Sequence, residues 1–125
     1  MLPFSVQFES GQPVYEQVIY AVEKALVQGQ LQPGDAFPSQ RTLAKELKMN
    51  PNTAQKIIAR LKADGVLVVE PGRGTFISQN YKPSDDAAQL LLTRDLEELV
   101  VKAKRLQIRK RDLDAALSAK WTEIS

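Results

Sequence analysis

A chain of 125 residues has room for one modest domain and an appendage, but not for two full domains. Its 43% hydrophobic and 26% charged residues exclude global disorder, and the absence of cysteine and histidine excludes disulfides, zinc fingers, cysteine nucleophiles and every histidine-based triad or metal site. The net charge of +2 is small, so its placement matters more: between Ser39 and Lys62 stand Arg41, Lys45, Lys48, Lys56, Arg60 and Lys62 against the single acid Glu46. That local excess suits a polyanionic partner, with a solvated surface as the plainer alternative. The start, MLPFSVQFESGQ, lacks a basic segment followed by an apolar run, and nowhere do about eighteen apolar residues follow one another, so a soluble, cytosolic protein without membrane segments is expected.

Phe4, Val6 and Phe8 alternate with Ser5 and Gln7, which predicts either a short edge strand or an arm laid on the domain. From Pro13 the period changes. Val14, Val18, Val22, Ala25 and Leu26 follow helical spacing, with Pro13 at the entry and Gly29 at the exit, and this first helix supplies core. Its Tyr15 and Tyr20 read as packing residues rather than binding aromatics. Residues 31–38 contain Pro33 and Gly34, the pair that suits the centre of a type II turn. Ser39 has the chemistry of an N-cap, and Leu43, Ala44 and Leu47 give a short second helix, ending near Lys48, one apolar face.

The stretch 50–64, NPNTAQKIIARLKAD, reads as a third helix that presents a polar face. Asn50 is a favoured N-cap, and Pro51 fits the first helical position, where a missing N–H costs nothing. Ala54, Ile57, Ile58 and Leu61 recur on one side and point to the core. The opposite side carries Asn52, Lys56, Ala59 and Ala63, flanked by Thr53, Gln55 and Arg60, and Gly65 stops the helix. Only Met49 and its neighbours separate the second and third helices, so the chain turns sharply between them, as in helix-turn-helix units.

After Gly65, VLVVE, PGRG and TFIS predict two short β-runs around a cationic tip, and three helices followed by such a hairpin is the winged-helix layout. Gly72 and Gly74 let the tip approach a phosphate backbone, and Arg73 supplies charge. Taken alone, GRG is more often a turn with an exposed arginine, and it gains weight only from the helices upstream. A nucleotide loop is a poor reading, because the G-x-x-x-x-G-K-[ST] spacing is absent and no helix is signalled directly after the tip.

Residues 79–84, QNYKPS, form the expected linker. Ser84 is a candidate N-cap, with Asp85 and Asp86 in the first turn and Lys102, Lys104 and Arg105 near the other end, which matches the helix dipole. Leu92, Leu96, Leu99, Ala103 and Leu106 repeat in steps of four and three, as in a coiled-coil seam, and such a helix wants a partner. Whether it breaks within QIRKR, residues 107–111, or continues is left open by local signals, since Leu113 and Leu117 carry the seam onward. Trp121 and Ile124 read as packing residues that extend this apolar face.

PVYEQV at Pro13, QLQPGDAFPSQRTLAKEL from Gln30, MNPNTA at Met49 and DGVLVVEPGRGTFI from Asp64 together resemble the GntR family of bacterial transcription regulators, over Pro13 to Ile77, and within it the short YtrA-type branch. The resemblance implies a mainly α fold with a small β-hairpin: a winged helix-turn-helix DNA-binding domain at 1–78 with an arm at 1–12, a linker at 79–84, and a helical dimerisation segment at 85–125, expected as two helices. It implies a homodimer on a palindromic operator. Contacts carried over by position are Ser39, Gln40 and Arg41, then Asn52, Thr53, Gln55 and Lys56, then Arg73 and Gly74, to which the polar face adds Arg60. Dimerisation falls to Leu92, Leu96, Leu99, Ala103, Leu106, Leu113, Leu117 and Trp121. Many relatives carry arginine where this chain has Pro51 and Gln55, so the reading head is expected to rely on amides and Lys56. Relatives usually place glycine between the two C-terminal helices, where this chain has Gln107.

The expected function is sequence-specific binding of double-stranded DNA by a repressor that sits on the bacterial nucleoid when bound. No catalysis, cofactor or metal is expected, and the residues specify no small-molecule effector. Amides at Asn52 and Gln55 suit adenine N6 and N7, and Lys56 suits guanine or phosphate. Arg41, Arg60 and Arg73 suit phosphate or the minor groove, and the helix starts at Gln40 and Pro51 add positive dipole ends. A protein-interaction module is the alternative, which would expose a large apolar patch on the third helix. An enzyme is disfavoured: Asp85 and Asp86, the obvious paired carboxylates, diverge as helix neighbours and are explained by their first-turn position.

Overall fold

The computed structural model describes residues 2–125 and divides into two compact units, one reaching to Tyr81 and the other spanning Lys82–Ser125. In the first, α1 (Val14–Val27), β1 (Ala36–Phe37), α2 (Gln40–Leu47) and α3 (Pro51–Ala63) precede β2 (Leu67–Glu70) and β3 (Gly74–Ile77). Helix α3 packs against both α1 and α2, and its far end meets β2. The expected hairpin is the larger part of a three-stranded antiparallel sheet in the order β1-β3-β2. Ala36 faces Phe76 and Phe37 faces Thr75 on one side of β3, while Val68 faces Phe76 and Glu70 faces Gly74 on the other. Two residues are too few to show a period, and β1 exists because β3 offers it a ladder. The turn before it closes on itself by Asp35 N–H donating to Gln32 O (3.0 Å), and β3 holds it through Ile77 N–H donating to Asp35 O (2.8 Å) and Gly34 N–H donating to Ile77 O (2.9 Å).

Among the described residues, 2–12 form an arm and no strand. Phe4 is buried and stacks on Phe37, with ring centroids 5.8 Å apart and planes 10° from parallel. Gln17 clips the arm to α1. Its Oε1 accepts from Glu9 N–H (2.8 Å), and its Nε2 donates to Glu9 O and Gln12 O (3.0 Å each).

Val18, Val22, Leu31, Leu43, Ile57 and Leu61 are fully buried, each contributing roughly 1.5–3 kcal/mol of transfer free energy. The face of α1 differs from the expected one. Ile19 is buried, whereas Val14, in the first turn at the end of the stripe, is exposed. The two tyrosines also part company: Tyr15 is half-buried against the core, but Tyr20 is 60% exposed and does not pack, because it lies off the stripe of Val18, Val22 and Ala25.

In this unit α1, α2 and α3 each end by the same pair of reverse hydrogen bonds. After α1, Gln30 N–H donates to Ala25 O and Gly29 N–H to Leu26 O; after α3, Val66 N–H donates to Leu61 O and Gly65 N–H to Lys62 O. After α2, Met49 N–H donates to Ala44 O and Lys48 N–H to Lys45 O. This closure needs one left-handed residue. Gly29 and Gly65 meet that need without a Cβ, whereas α2 uses Lys48 at φ 52°.

The second unit contains α4 (Asp85–Leu90), a π-helical turn at Leu91–Asp95, α5 (Leu96–Arg105) and α6 (Lys110–Ile124). Ser84 Oγ caps α4 by accepting from Ala87 N–H (3.3 Å). The backbone stays helical through the π turn, where Thr93 Oγ1 donates back to Gln89 O (2.7 Å). Helix α5 then closes in the same manner as the others, with Ile108 N–H on Ala103 O and Gln107 N–H on Lys104 O, and Gln107 takes φ 59°. The chain therefore breaks before α6 and does not run on as one helix. Trp121 is 74% exposed and covers no core within the single chain. Ala103 is the buried member of the seam, and Leu113 is half-buried, while Leu92, Leu96, Leu99, Leu106 and Leu117 are exposed. No helix among the described residues is long and apolar enough to cross a membrane.

Candidate nucleic-acid interface

Three local structures place the candidate contact residues, and each follows from the chemistry of a few side chains. Ser39 begins α2: its Oγ accepts from Thr42 N–H (3.2 Å) and donates to Thr42 Oγ1 (3.1 Å). Gln40 Nε2 reaches across the turn and donates to Pro51 O (3.1 Å). Ser39 thus caps α2 as its chemistry predicts, whereas the duty of Gln40 in tying the start of α3 was not revealed by its sequence position. Between the two helices a shallow groove is lined by Ser39, Gln40, Arg41, Ala44, Lys45, Met49 and Pro51.

Helix α3 is started by Asn50, whose Oδ1 accepts from Asn52 N–H (2.7 Å), with Pro51 in the first turn. Ala54, Ile57 and Leu61 anchor its inner face. Asn52, Gln55, Lys56, Ala59 and Ala63 are exposed on the outer face, and Thr53 is half-buried at its edge. Among the described residues, no hydrogen bond or ion pair engages the side chains of Arg41, Asn52, Thr53, Gln55 or Lys56. The amides and cations expected to face a partner are therefore presented together and uncommitted. No acid lies in the first turn of α3, so the positive end of the helix dipole is left uncompensated.

Arg60 is the exception on this helix. Tyr15 and then Asp64 raise its pKa above the ordinary arginine value by hydrogen bonding to the guanidinium, and Arg60 Nε lies 3.0 Å from Asp64 Oδ2. It links α3 to the start of α1 and is less available to a phosphate than Arg41 or Lys56. The Tyr15 hydroxyl was missed because an aromatic on a core stripe gives no sign of what its polar tip meets.

The wing tip is a tight turn in which Arg73 N–H donates to Glu70 O (2.9 Å). Gly72 takes φ 79°, which the third position of a type II turn after Pro71 requires. Arg73 Nη1 lies 2.6 Å from Glu70 Oε2, and its guanidinium carbon lies 5.0 Å from the centre of the Phe76 ring. Gly74 opens β3 opposite Glu70. The sequence did carry a sign of the Glu70 contact, since acid and base stand three residues apart around a Pro-Gly turn. Among the described residues there is no group of three or more acidic side chains able to hold a metal ion.

Residues 14–77 match the family model described as bacterial regulatory proteins, gntR family. The chain is 35% identical over 95 residues to the HTH-type transcriptional repressor YtrA of Bacillus subtilis (strain 168), spanning 75% of this chain and 73% of that protein. The crystal structure of a transcriptional antiterminator from Listeria monocytogenes EGD-e is similar with a TM-score of 0.83 at 27% identity, over 97% of this chain and 91% of the other. The DNA-binding domain of AraR in complex with operator ORX1 is similar with a TM-score of 0.52 at 26% identity, over 59% of this chain and 95% of that domain.

Proposed function

The chain belongs to the gntR family of bacterial regulatory proteins, a family of DNA-binding transcription regulators and not of enzymes, and from that premise we propose that it is a repressor that binds a palindromic operator as a homodimer. One observation carries the DNA-binding part: the outer face of α3 presents Asn52, Gln55 and Lys56 uncommitted, beside a helix start free of acid. Amides of this kind pair with adenine N6 and N7, and Lys56 meets guanine or phosphate. Arg41 and Arg73 contact the backbone and set register, and Ala59 and Ala63 allow close approach. The likeness to a domain solved in complex with an operator supports DNA binding by this unit.

The homodimer rests on the π-helical turn, α5 and α6. Leu92, Leu96, Leu99 and Leu106 repeat in seam spacing and stay exposed in one chain, as do Leu117 and Trp121. Apolar rows of this length cost free energy in water and are covered when a second copy supplies the facing row. A repressor is favoured because the relative YtrA is described as one. The outer face of α3 is polar and cationic, which argues against a protein-interaction module that would need an apolar patch there.

An electrophoretic mobility shift with the DNA upstream of the protein's own gene, across a salt series, tests this reading. Binding that weakens steeply with salt is expected. No binding at low salt refutes it.

A further inference from the structure

We propose that Glu70 is a positioning residue that restrains the wing: in the DNA-free chain it holds Arg73 folded against Phe76, and Arg73 exchanges the Glu70 carboxylate for a backbone phosphate when the wing docks. The proposal rests on the DNA-binding reading above and assigns to the wing a brake on non-specific attachment.

The turn makes the clasp local. Glu70 and Arg73 are its first and fourth residues, closed by the backbone hydrogen bond between them (2.9 Å), so the two side chains leave the tip at neighbouring points. Glu70 faces Gly74 and Val68 faces Phe76 across the strands, which puts Glu70 and Phe76 on one face of the hairpin. Arg73 lies back over that face, with Nη1 2.6 Å from Glu70 Oε2 and its guanidinium carbon 5.0 Å from the Phe76 ring centre.

Both partners of the pair remain exposed, so water and salt screen it and it opens readily. While it is closed, the tip presents little net charge, because one carboxylate neutralises its cation. A phosphate arriving at Arg73 displaces Glu70 and meets the repulsion of the released carboxylate. That cost falls on every DNA sequence alike, whereas the gain from α3 depends on sequence. Glu70 therefore lowers affinity for all DNA, non-specific sites included, and leaves discrimination to Asn52, Gln55 and Lys56.

The test is fluorescence anisotropy with a labelled random-sequence DNA duplex across a sodium chloride series, using the full chain as wild type, Glu70→Gln, Arg73→Ala and the double variant. Glu70→Gln is expected to bind roughly two- to five-fold tighter at low salt, with a salt slope steeper by up to about one, and this gain is expected to shrink or vanish in the Arg73→Ala background. An equal gain in both backgrounds reduces Glu70 to a general charge effect and overturns the clasp. Weaker binding by Glu70→Gln overturns it too, since Glu70 then aligns Arg73 for DNA. Wild-type binding with no response to Glu70→Gln refutes this proposal alone. Failure of the wild type to bind the duplex at low salt refutes the DNA-binding reading and this proposal with it.

Discussion

Gln40 Nε2 donates to the carbonyl oxygen of Pro51 at 3.1 Å, so the first residue of α2 holds the first residue of α3. The bond spans the turn of the helix-turn-helix at the end proposed to face DNA. Gln40→Ala removes it and is expected to cost about 0.5–1.5 kcal/mol of stability, together with weaker binding to every DNA sequence. Urea denaturation and anisotropy read the two effects, and unchanged values in both would reject the strut.

Base reading and backbone contact separate by mutation. Gln55→Ala is expected to cost roughly 1–3 kcal/mol at its base pairs and to relax preference there, while Arg73→Ala weakens all sequences about equally and lowers the salt slope by about one. Selection from a randomised operator pool measures the first effect. An intact sequence preference in Gln55→Ala means that this amide does not read bases.

Asn50 caps α3 through Asn52 N–H, and two substitutions divide its structural from its electrostatic role. Asn50→Ala is expected to lose about 1 kcal/mol of folding stability. Asn50→Asp keeps a good cap and the fold, but sets a negative charge where a phosphate would sit, so DNA affinity falls while the melting temperature does not. Equal DNA binding by Asn50→Asp and wild type would move the DNA away from this helix start.

Leu99 lies in the exposed row of α5. Leu99→Asp is expected to convert a dimer to a monomer in size-exclusion chromatography with light scattering, leaving the first unit folded. For a two-fold dimer the half-sites lie about one helical turn apart, ~34–36 Å, or a multiple of it, and footprinting measures that spacing. A variant that stays dimeric rejects this row as the interface.

Gln107 closes α5 at φ 59°, where a Cβ is strained. Gln107→Gly is expected to stabilise the C-terminal unit by up to about 1 kcal/mol, the relief being partly offset by the greater freedom of glycine in the unfolded chain. A drop in melting temperature would show that the Gln107 side chain makes a contact worth more than the strain.

Much of the fold was legible because local chemistry decided it. Ser39, Asn50 and Ser84 cap the helices they precede, Gly29 and Gly65 end theirs, and Ala54, Ile57 and Leu61 are buried as their spacing required. The candidate site was legible for the same reason: Asn52, Gln55 and Lys56 are outward because the opposite stripe is apolar. Each of these depends on residues within a turn or two of one another, where the 3.6-residue period and capping act.

What lay beyond that range needed the assembled chain. Strand β1 exists only because β3 lies beside it, and Phe4 becomes core only because Phe37 meets it. Tyr15 finds Arg60, and Gln40 finds Pro51, across intervals no periodicity encodes. The sequence by itself determined which residues form the helices and which faces are apolar, since propensity and caps act locally. Tertiary structure decided that the Gln40 amide and the Tyr15 hydroxyl are occupied within the fold, because a hydrogen bond between distant residues forms only after packing has brought them together.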